Sequence, residues 1–562
     1  MVKALLQFGI SPIVVGLLIC FFAFGAVVSG CGDSETLTNQ VENAHQNQNQ
    51  NQNQNNDTNQ NNANQNDNQK NNQNQKNNEN NGENNSANNN GENPSDSCDP
   101  EDVIPRPVAD ADDDPCRPDD GWDSAAVFVA THGDDANLGT LTDPLQTIQA
   151  GLDLADSEEN LQFVLVESGT YPESIELRDG IQLIATYEVG WAYHPSNRAT
   201  VEEGNPTLFG EGIESPTRIR NLRVDPLTDA EEQETVVTAY LYDSDGVIFE
   251  NVQIFGGRAG DGPNGADGDD GSDGERGDDG ETGDRTGSLL ICNTDDPGTV
   301  GAGGTNICSG TSGGDGGAGG RGDDSGAGGQ ASEGGASGGS SGGEEEDGGD
   351  GADGASGENG AHGVGGTADG HFDGLQWVGE DGTDGARGED GIGGGGGGGA
   401  GGEDTFGTCD HWGGSGGGGG SGGCGGQGGT AGGYGGASIA LFLENSDIEI
   451  RQSRIEGGTG GDGGHGGTRG DGGTRGLGGN GGSSSGDGGT GGDGGNGGDG
   501  GDGGHGGGGA GGPAFAIFST DELSTDLEDS LIEEGNAGRG GGPSSEPTEA
   551  ADGLAGDIQI GL

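Results

Sequence analysis

The sequence predicts an all-β chain in which short strand repeats are interrupted by large glycine-rich tracts. Strand-like apolar segments, separated by turns of Gly, Asp, Asn and Pro, fill residues 122–255 and return in two short islands at 438–456 and 514–532. Between the islands glycine recurs at every third position, with one exception from Gly458 to Gly512. A period of three fits neither an α-helix nor a β-strand, but it fits an extended helix of the polyproline-II type.

Composition excludes several classes of protein. Glycine accounts for 137 of the 562 residues and only 27% are hydrophobic, so a core can form only where the apolar residues cluster. The formal net charge is −77, and the lysines are Lys3, Lys70 and Lys76. Because nucleic-acid binding depends on neutralising phosphates with basic side chains, this charge balance excludes nucleic acid as a partner.

The N-terminus predicts an exported, lipid-anchored protein. Lys3 precedes an apolar run from Leu5 to Val28, and two small residues separate that run from Cys31. This pattern resembles the lipobox of bacterial lipoproteins, which implies that residues 1–30 are a signal peptide and that acylated Cys31 holds the protein on a lipid bilayer. The alternatives are a plain signal peptide and a membrane anchor helix. We expect localisation at the outer membrane or cell surface of a bacterium.

A polar linker follows the predicted anchor. Residues 31–121 contain a tract, from about Asn39 to Asn93, that consists of Asn and Gln with scattered acidic residues and has no periodicity. Such a composition is expected to be disordered because it cannot bury enough apolar surface. The tract is interpreted either as a tether between membrane and folded module or as a neutral repeat expansion.

Six further cysteines form three local couples, which predict disulfides in an exported protein. Each couple closes a loop of about 15 to 19 residues, worth roughly 3 kcal/mol on the chain-entropy model. Zinc is the weaker interpretation, because no C-x-x-C spacing occurs and His411 is the only histidine near a cysteine. The predicted pairs are Cys98–Cys116, Cys292–Cys308 and Cys409–Cys424.

Residues 122–255 contain the elements of the predicted folded module. Asp143 is the predicted N-cap of a helix, with Pro144 at its first position and Gln146 completing a capping box. The apolar face of this helix consists of Leu145, Ile148, Leu152 and Ala155. The predicted strands are Ala126–Ala130, Phe163–Val166, Ser174–Leu177, Ile181–Thr186, Ile219–Val224, Val236–Tyr242 and Val247–Phe255.

Two stretches, THGDDANLGTLTDPLQTIQAGLDLA and VLVESGTYPESIELRDGIQLIATY, resemble the first coils of the pectin-lyase-like superfamily. The resemblance covers residues 122–255 and implies a right-handed parallel β-helix with an N-terminal capping helix, but no particular activity. A β-sandwich is the structural alternative. The matching residues are Gly133, Asp134, Gly139, Thr140, Pro144, Thr147, Ile148, Gln149, Ala150, Gly169, Thr170, Tyr171 and Glu173.

Three internal repeats support a solenoid. The first two copies align without a gap, and the third has one extra residue in its turn. Each copy has the length of one coil and cannot bury its apolar face alone, so the copies must stack. The tracts 256–437 and 457–513 are then insertions that leave successive coils at the same corner, and 514–562 holds the last coil. The copies span 239–257, 440–458 and 516–535.

The insertions resemble the glycine-rich surface proteins of mycobacteria. Their period of three, also present at 262–283 and 348–366, fits packed polyglycine-II helices, whereas their high charge fits solvated disorder. Scarce proline argues against a collagen triple helix, and scarce apolar residues argue against a calcium-binding β-roll. The acidic stretches allow diffuse calcium binding, but no ligand set with defined spacing is visible, so we predict no cofactor.

The sequence favours a structural or binding module over an enzyme. We expect an adhesive surface lipoprotein with extracellular polysaccharide or cell-surface components as partners. The alternative implied by the resemblance is a polysaccharide lyase or glycoside hydrolase, which would need carboxylates and arginines on one face of the solenoid. No P-loop or H-E-x-x-H motif occurs, and we assign no catalytic residue. The only candidates for such a cluster are Asp243, Asp245, Glu250, Arg218, Arg220 and Arg223.

Overall fold

The computed structural model describes most of the chain after residue 123, all of it within the compact unit Asn90–Leu562. The predicted signal peptide, Cys31, the polar tether, Cys98 and Cys116 lie outside the described residues. No helix in the described part is long and apolar enough to cross a membrane. The described ranges are 124–227, 230–284, 298–404, 409–484, 486–522, 527–542 and 548–561, with the backbone alone at 287–288 and 291–292.

The regular secondary structure of the described residues is almost entirely strand, with very little helix, as the predicted all-β class requires. One helix and 22 strands are present in this part of the chain. In chain order they are β1 (Ala126–Val129), α1 (Ile148–Ser157), β2 (Phe163–Glu167), β3 (Thr170–Pro172), β4 (Ile175–Glu176), β5 (Gln182–Tyr187), β6 (Ala199–Glu202), β7 (Leu208–Glu211), β8 (Thr217–Arg220), β9 (Leu222–Val224), β10 (Val236–Tyr242), β11 (Val247–Glu250), β12 (Gln253–Phe255), β13 (Gly287–Ser288), β14 (Ile291–Cys292), β15 (His371–Asp373), β16 (Gln376–Val378), β17 (Ser438–Glu444), β18 (Glu449–Arg451), β19 (Arg454–Glu456), β20 (Ala514–Ser519), β21 (Leu531–Glu533) and β22 (Ala555–Ile560).

Three six-stranded sheets contain all of these strands except two short hairpins. Sheet A has the order β1-β2-β5-β8-β11-β18, sheet B β3-β6-β9-β12-β19-β21 and sheet C β4-β7-β10-β17-β20-β22. From β2 to β12 the chain visits sheets A, B and C in turn. Every pairing within these sheets is parallel, which disagrees with the antiparallel sheets of a β-sandwich.

The three sheets enclose a common hydrophobic core. Leu183 of sheet A, Val201 of sheet B and Leu208 of sheet C belong to one cluster of fully buried side chains. Ile148, Leu152 and Ala155 of α1 join the same cluster, so the predicted apolar face is confirmed at these three positions. Leu145, the fourth predicted position, is buried in the cluster but precedes the helix. Side chains that alternate with these core residues lie on the outer faces of the sheets.

The predicted start of the helix is wrong. Asp143 is not its N-cap, because Leu145 is still extended and exchanges backbone hydrogen bonds of 2.9 Å with Phe128 and Ala130 of the β1 region. Thr147 is the N-cap instead, and its side chain accepts a hydrogen bond from the backbone N–H of Ala150. The Glu173 carboxylate accepts the next free N–H groups, those of Ile148 and Gln149, at 2.7 and 3.0 Å.

Two of the predicted strands are each divided between sheets A and B. Asn221 interrupts the predicted strand 219–224 with φ 59°, and Asn251 interrupts 247–255 with φ 53°. Asparagine tolerates this left-handed conformation better than most residues. The Asn251 amide also donates to Asn221 Oδ1 at 2.9 Å, so the two corners are linked between successive circuits of the chain.

The predicted repeats pair with one another, but the ungapped alignment is wrong by one residue in sheet C. Leu241 pairs with Leu443, not with Phe442, and both leucines are fully buried. Five residues separate Tyr242 from Ile248, but four separate their partners Glu444 and Glu449, and this difference restores the aligned register at β11 and β18. A slip of one residue moves a side chain to the opposite face of a sheet, so Phe442 lies on the outer face.

The glycine-rich tracts are extended segments bonded to one another at every third residue. Gly265, Gly268 and Gly271 donate backbone hydrogen bonds of 2.7–2.8 Å to the carbonyls of His465, Thr468 and Asp471. Both tracts leave the sheets after a strand of sheet B and return at a strand of sheet C, the common corner that the repeats predict.

The number of glycines in each triplet increases with the number of neighbouring segments against which that stretch of backbone packs. In 262–283 one residue in three is glycine, in 461–482 most triplets have two, and in 416–420 every residue is glycine. Within this last run the N–H groups of Gly417, Gly418 and Gly419 donate to three different segments. A Cβ at Gly418 or Gly419 would collide with a neighbouring carbonyl oxygen, so no larger residue fits there.

Candidate functional site

Three of the predicted cluster residues meet on the outer face of sheet A. Glu250 Oε2 lies 2.7 Å from Arg220 Nη2 and 3.2 Å from Arg218 Nη1. Both arginine side chains are more than nine-tenths buried, while Glu250 is one-quarter exposed. The Glu250 carboxylate thus pairs with two guanidinium groups, and the three side chains form a compact ion-pair cluster on the face of the sheet.

The other three candidates lie elsewhere. Arg223 is on sheet B, where its Nε lies 2.8 and 2.9 Å from the two carboxylate oxygens of Asp225. Asp243 and Asp245 lie in the turn after β10. Asp243 accepts a hydrogen bond from the Asn445 side chain, and Asp245 accepts the backbone N–H of Asp447 at 3.0 Å. The structure therefore divides the six candidates among three places and does not assemble them into a catalytic cluster.

A ladder of aromatic rings follows the outer face of sheet C. Phe209, Tyr240, Phe442 and Phe518 occupy paired positions on β7, β10, β17 and β20. Successive ring centroids are 5.6, 5.6 and 4.9 Å apart, and the first two rings are stacked at 24°. These separations are favourable for aromatic pairs, so the ladder stabilises the face on which it lies.

A hairpin from the first glycine tract covers one end of this ladder. Phe372 of β15 packs 5.3 Å from Phe442 and 4.6 Å from Phe518. Trp377 of β16 is buried, and its backbone N–H donates to Thr235 Oγ1 at 2.8 Å. The glycine-rich region is thus docked against the sheets at this point, while the Phe209–Tyr240 end lies beyond these contacts.

The uncovered end of the ladder lines an open cleft of about 590 Å³. Phe209 and Tyr240 are half-buried in it, and Pro206 provides a further apolar surface. The Tyr240 hydroxyl donates to Glu444 at 2.5 Å, and burial together with this carboxylate raises the pKa of Tyr240. The tyrosine is therefore neutral at physiological pH.

Polar groups at the rim of the cleft are held in fixed positions. The Asn205 amide donates to the Thr235 carbonyl at 2.6 Å and accepts the N–H of Val237 at 2.8 Å. Glu176 pairs with Arg178 at 2.9 Å and is the only carboxylate among the described lining residues. Flat apolar rings beside amide and carboxylate groups can bind a ring that has one apolar face and polar edges.

Sequence reasoning did not find this cleft. Phe209 lies on β7, a strand that the sequence did not predict, and the ungapped repeat placed Phe442 in the core. The recurrence of an aromatic residue at Tyr240, Phe442 and Phe518 is the signal that could have found the ladder, once the longer turn after β10 is allowed for.

The predicted disulfide pairs Cys292–Cys308 and Cys409–Cys424 are wrong. Cys308 forms a disulfide with Cys424 across 116 residues, with a Cα–Cα distance of 5.8 Å, and Cys409 is also disulfide-bonded. The cause is lateral packing, since Gly304 N–H bonds to the carbonyl of Gly419 and places distant segments side by side. The Cys292 side chain lies outside the described residues.

Metal binding is not supported at this disulfide. Cys308, Cys424 and Asp390 have potential ligand atoms within 4.8 Å of one another. Because the two sulfurs are bonded to each other, they are not thiolates and cannot serve as zinc ligands.

Acidic side chains in the glycine-rich region act as acceptors for backbone N–H groups. Asp273 accepts both the N–H and the hydroxyl of Thr474 at 2.8 Å, and Asp347 accepts the same groups of Thr490 at 2.7 and 2.8 Å. These hydrogen bonds lower the pKa of both carboxyl groups. Many acids of the triplets therefore have a structural role, which sequence reasoning attributed only to solvation and diffuse calcium binding.

The aromatic cleft is the strongest candidate site in the described chain. It combines open volume, uncovered rings and fixed polar groups, whereas the arginine–glutamate cluster on sheet A is a compact ion-pair group. Comparison with known proteins gives no match: no family model, no curated protein and no solved structure is significantly similar to this chain.

Proposed function

We propose that this protein is a bacterial cell-surface lipoprotein that binds extracellular polysaccharide without catalysis. In this proposal the three sheets are a right-handed parallel β-helix, supported by the repeated visit to sheets A, B and C. The glycine-rich tracts are a bundle of polyglycine-II helices, supported by the hydrogen bonds at every third residue. Acylated Cys31 anchors the protein, and the Asn/Gln tract is the tether.

The cleft at the end of the aromatic ladder carries the binding proposal. The apolar face of a pyranose can pack on Phe209 and Tyr240, because aromatic rings offer a large rigid surface at a low cost in side-chain entropy. The Asn205 and Glu176 side chains lie at the rim of the same cleft, where hydroxyl groups of the sugar would point. The ligand class is therefore a neutral or weakly charged saccharide.

The alternative of a lyase or glycoside hydrolase receives less support from the same residues. Glycoside hydrolysis uses two carboxyl groups about 5–10 Å apart across the scissile bond. The described lining of the cleft has Glu176 alone, and Arg178 pairs with it. The arginines of sheet A are engaged by Glu250.

A glycan array with the full chain carrying Cys31→Ser, which removes the acylation site, tests the binding function. We expect saccharide binding that Phe209→Ala weakens by about 30-fold, the effect of losing roughly 2 kcal/mol of contact. Tyr242→Ala is the matched control, because Tyr242 lies two residues from Tyr240 on the same strand but does not line the cleft. Absence of binding to every glycan, or equal losses in both variants, would contradict the proposal.

The anchor is tested separately with a fatty-acid analogue in living cells. We expect the wild-type protein to be labelled and membrane-associated, and Cys31→Ser to lose both properties. Persistent labelling of the variant would show that the lipoprotein assignment is wrong.

A further inference from the structure

A row of side chains joins two segments of the glycine-rich region. Side chains of residues 347–362 accept the backbone N–H groups of residues 490–505, one for each triplet, over 2.7–3.2 Å. Most acceptors in this row are oxygen atoms, and the last is a ring nitrogen. In order the acceptor–donor pairs are Asp347–Thr490, Asp350–Asp493, Asp353–Asn496, Ser356–Asp499, Asn359–Asp502 and His362–His505.

Two histidines continue this row in series. His362 Nδ1 accepts the backbone N–H of His505 at 3.0 Å, and His505 Nδ1 accepts the backbone N–H of Arg469 at 3.1 Å. The two imidazole rings are stacked, with centroids 5.2 Å apart and planes inclined by 12°. We call His362, His505 and Arg469 the histidine relay; it connects three segments of the glycine-rich region.

The relay requires each imidazole to be neutral and to carry its lone pair on Nδ1. A backbone N–H can donate only to a nitrogen that carries a lone pair, and protonation converts this acceptor into a donor. An imidazolium would therefore place two N–H groups against each other and leave the backbone donor without an acceptor. Asp or Asn at other positions of the row has no such transition near neutral pH.

The surroundings of the His505 ring oppose its protonation. Arg469 lies beside this ring and forms an ion pair of 2.8 Å with Asp502, and the stacked His362 ring faces it from the other segment. The adjacent Gly504 and Gly506 contact their neighbouring segments through backbone groups alone. Burial, the second imidazole and Arg469 all lower the pKa of His505.

We propose that the histidine relay is a pH-sensitive joint of the glycine-rich region, which is closed at neutral pH and opens on acidification. In the open state the backbone N–H groups of His505 and Arg469 lose their acceptors, and the two cationic rings repel each other and Arg469. This device is independent of saccharide binding at the aromatic cleft.

The sign of the pH dependence follows from the protonation state. The relay needs neutral rings, and the pKa of His505 is lower in the folded chain than the value of about 6.5 for a free histidine. The contribution of the hydrogen bond from Arg469 to His505 is therefore complete above about pH 6.5 and is lost as the pH falls through the folded pKa of His505.

Amide hydrogen exchange of the full chain, labelled with ¹⁵N-arginine and ¹⁵N-histidine and read by NMR, tests the joint directly. The Arg469 amide reports on the His505 ring, because it donates to His505 Nδ1 at 3.1 Å. We expect its protection factor to fall about tenfold between pH 7.5 and pH 5, as expected for loss of one hydrogen bond. His465 is the internal control, because its amide donates to Asn264 Oδ1 at 2.8 Å, an acceptor that does not titrate.

Two variants separate titration from structure. His505→Asn supplies the same kind of acceptor that Asn496 supplies to the Gly478 N–H between the same two segments, so we expect the Arg469 amide to stay protected at both pH values. His505→Ala removes the acceptor, and we expect low protection at both. An Arg469 amide whose protection is independent of pH in the wild type, or equally pH-dependent in His505→Asn, would overturn the proposal.

Discussion

The sheets and the glycine-rich region are held together in different ways. The three sheets bury aliphatic and aromatic side chains such as Leu183 and Phe249 in a common core. The glycine-rich region buries backbone against backbone, and its centre at 416–420 has no side chain beyond hydrogen. Hydrophobic burial is non-directional, whereas hydrogen bonds at every third residue require close approach and fixed geometry.

The two regions therefore tolerate different substitutions. A core of side chains accepts substitutions that conserve volume and polarity, because neighbouring side chains can adjust. A bundle of backbones cannot adjust in this way, since the group that an added Cβ meets at Gly419 is a backbone carbonyl. The two regions meet at the hairpin β15–β16, where Phe372 contacts the aromatic ladder.

The largest effect is expected from Ile455→Asp in the core of the sheets. Ile455 is 1% exposed and pairs with Ile254 and Ile532 in sheet B. Burying a carboxyl group there should cost about 4 kcal/mol or more, or prevent folding. Secretion yield and denaturant unfolding followed by circular dichroism measure this cost.

Ile558→Asp is the matched control for this change. Ile558 lies on the last strand of sheet C and is 37% exposed, so the same substitution should cost less than about 1 kcal/mol. If Ile455→Asp were tolerated as well as Ile558→Asp, the sheets would not be the main source of stability.

A smaller effect is expected from Gly419→Ala at the centre of the glycine-rich region. The added methyl group would collide with the Gly394 carbonyl, and displacing this segment should cost roughly 1–3 kcal/mol. In Gly328→Ala, by contrast, the nearest atom to the new Cβ is 3.4 Å away, and we expect a change within about 0.5 kcal/mol. Equal unfolding midpoints for the two variants would contradict the packing described for the centre.

Local sequence patterns predicted the strands and the repeats better than the contacts of the glycine-rich region. Apolar alternation identifies β10 from Val236 to Tyr242 with the bounds that the structure has. The Cys308–Cys424 disulfide could not be predicted, because nearly identical Gly-Gly-X triplets allow many pairings and registers. The cleft was missed for a related reason, since the turn after β10 shifts the register by one residue and changes which aromatic rings align.

The smallest effect is expected from Asp273→Asn, because this substitution changes a hydrogen-bond acceptor without changing the packing. The pKa of Asp273 is lowered in the folded chain by hydrogen bonds from the Thr474 N–H and hydroxyl, so its contribution is present above about pH 4 and is lost as the pH falls through the folded value. Asparagine keeps an acceptor oxygen and does not titrate. We therefore expect amide exchange of Thr474 to become acid-sensitive in the wild type alone, while Thr490 beside Asp347 stays acid-sensitive in both proteins. Acid-sensitive exchange of Thr474 in Asp273→Asn would show that the carboxylate is not the acceptor that matters, and that the region is held by its backbone hydrogen bonds alone.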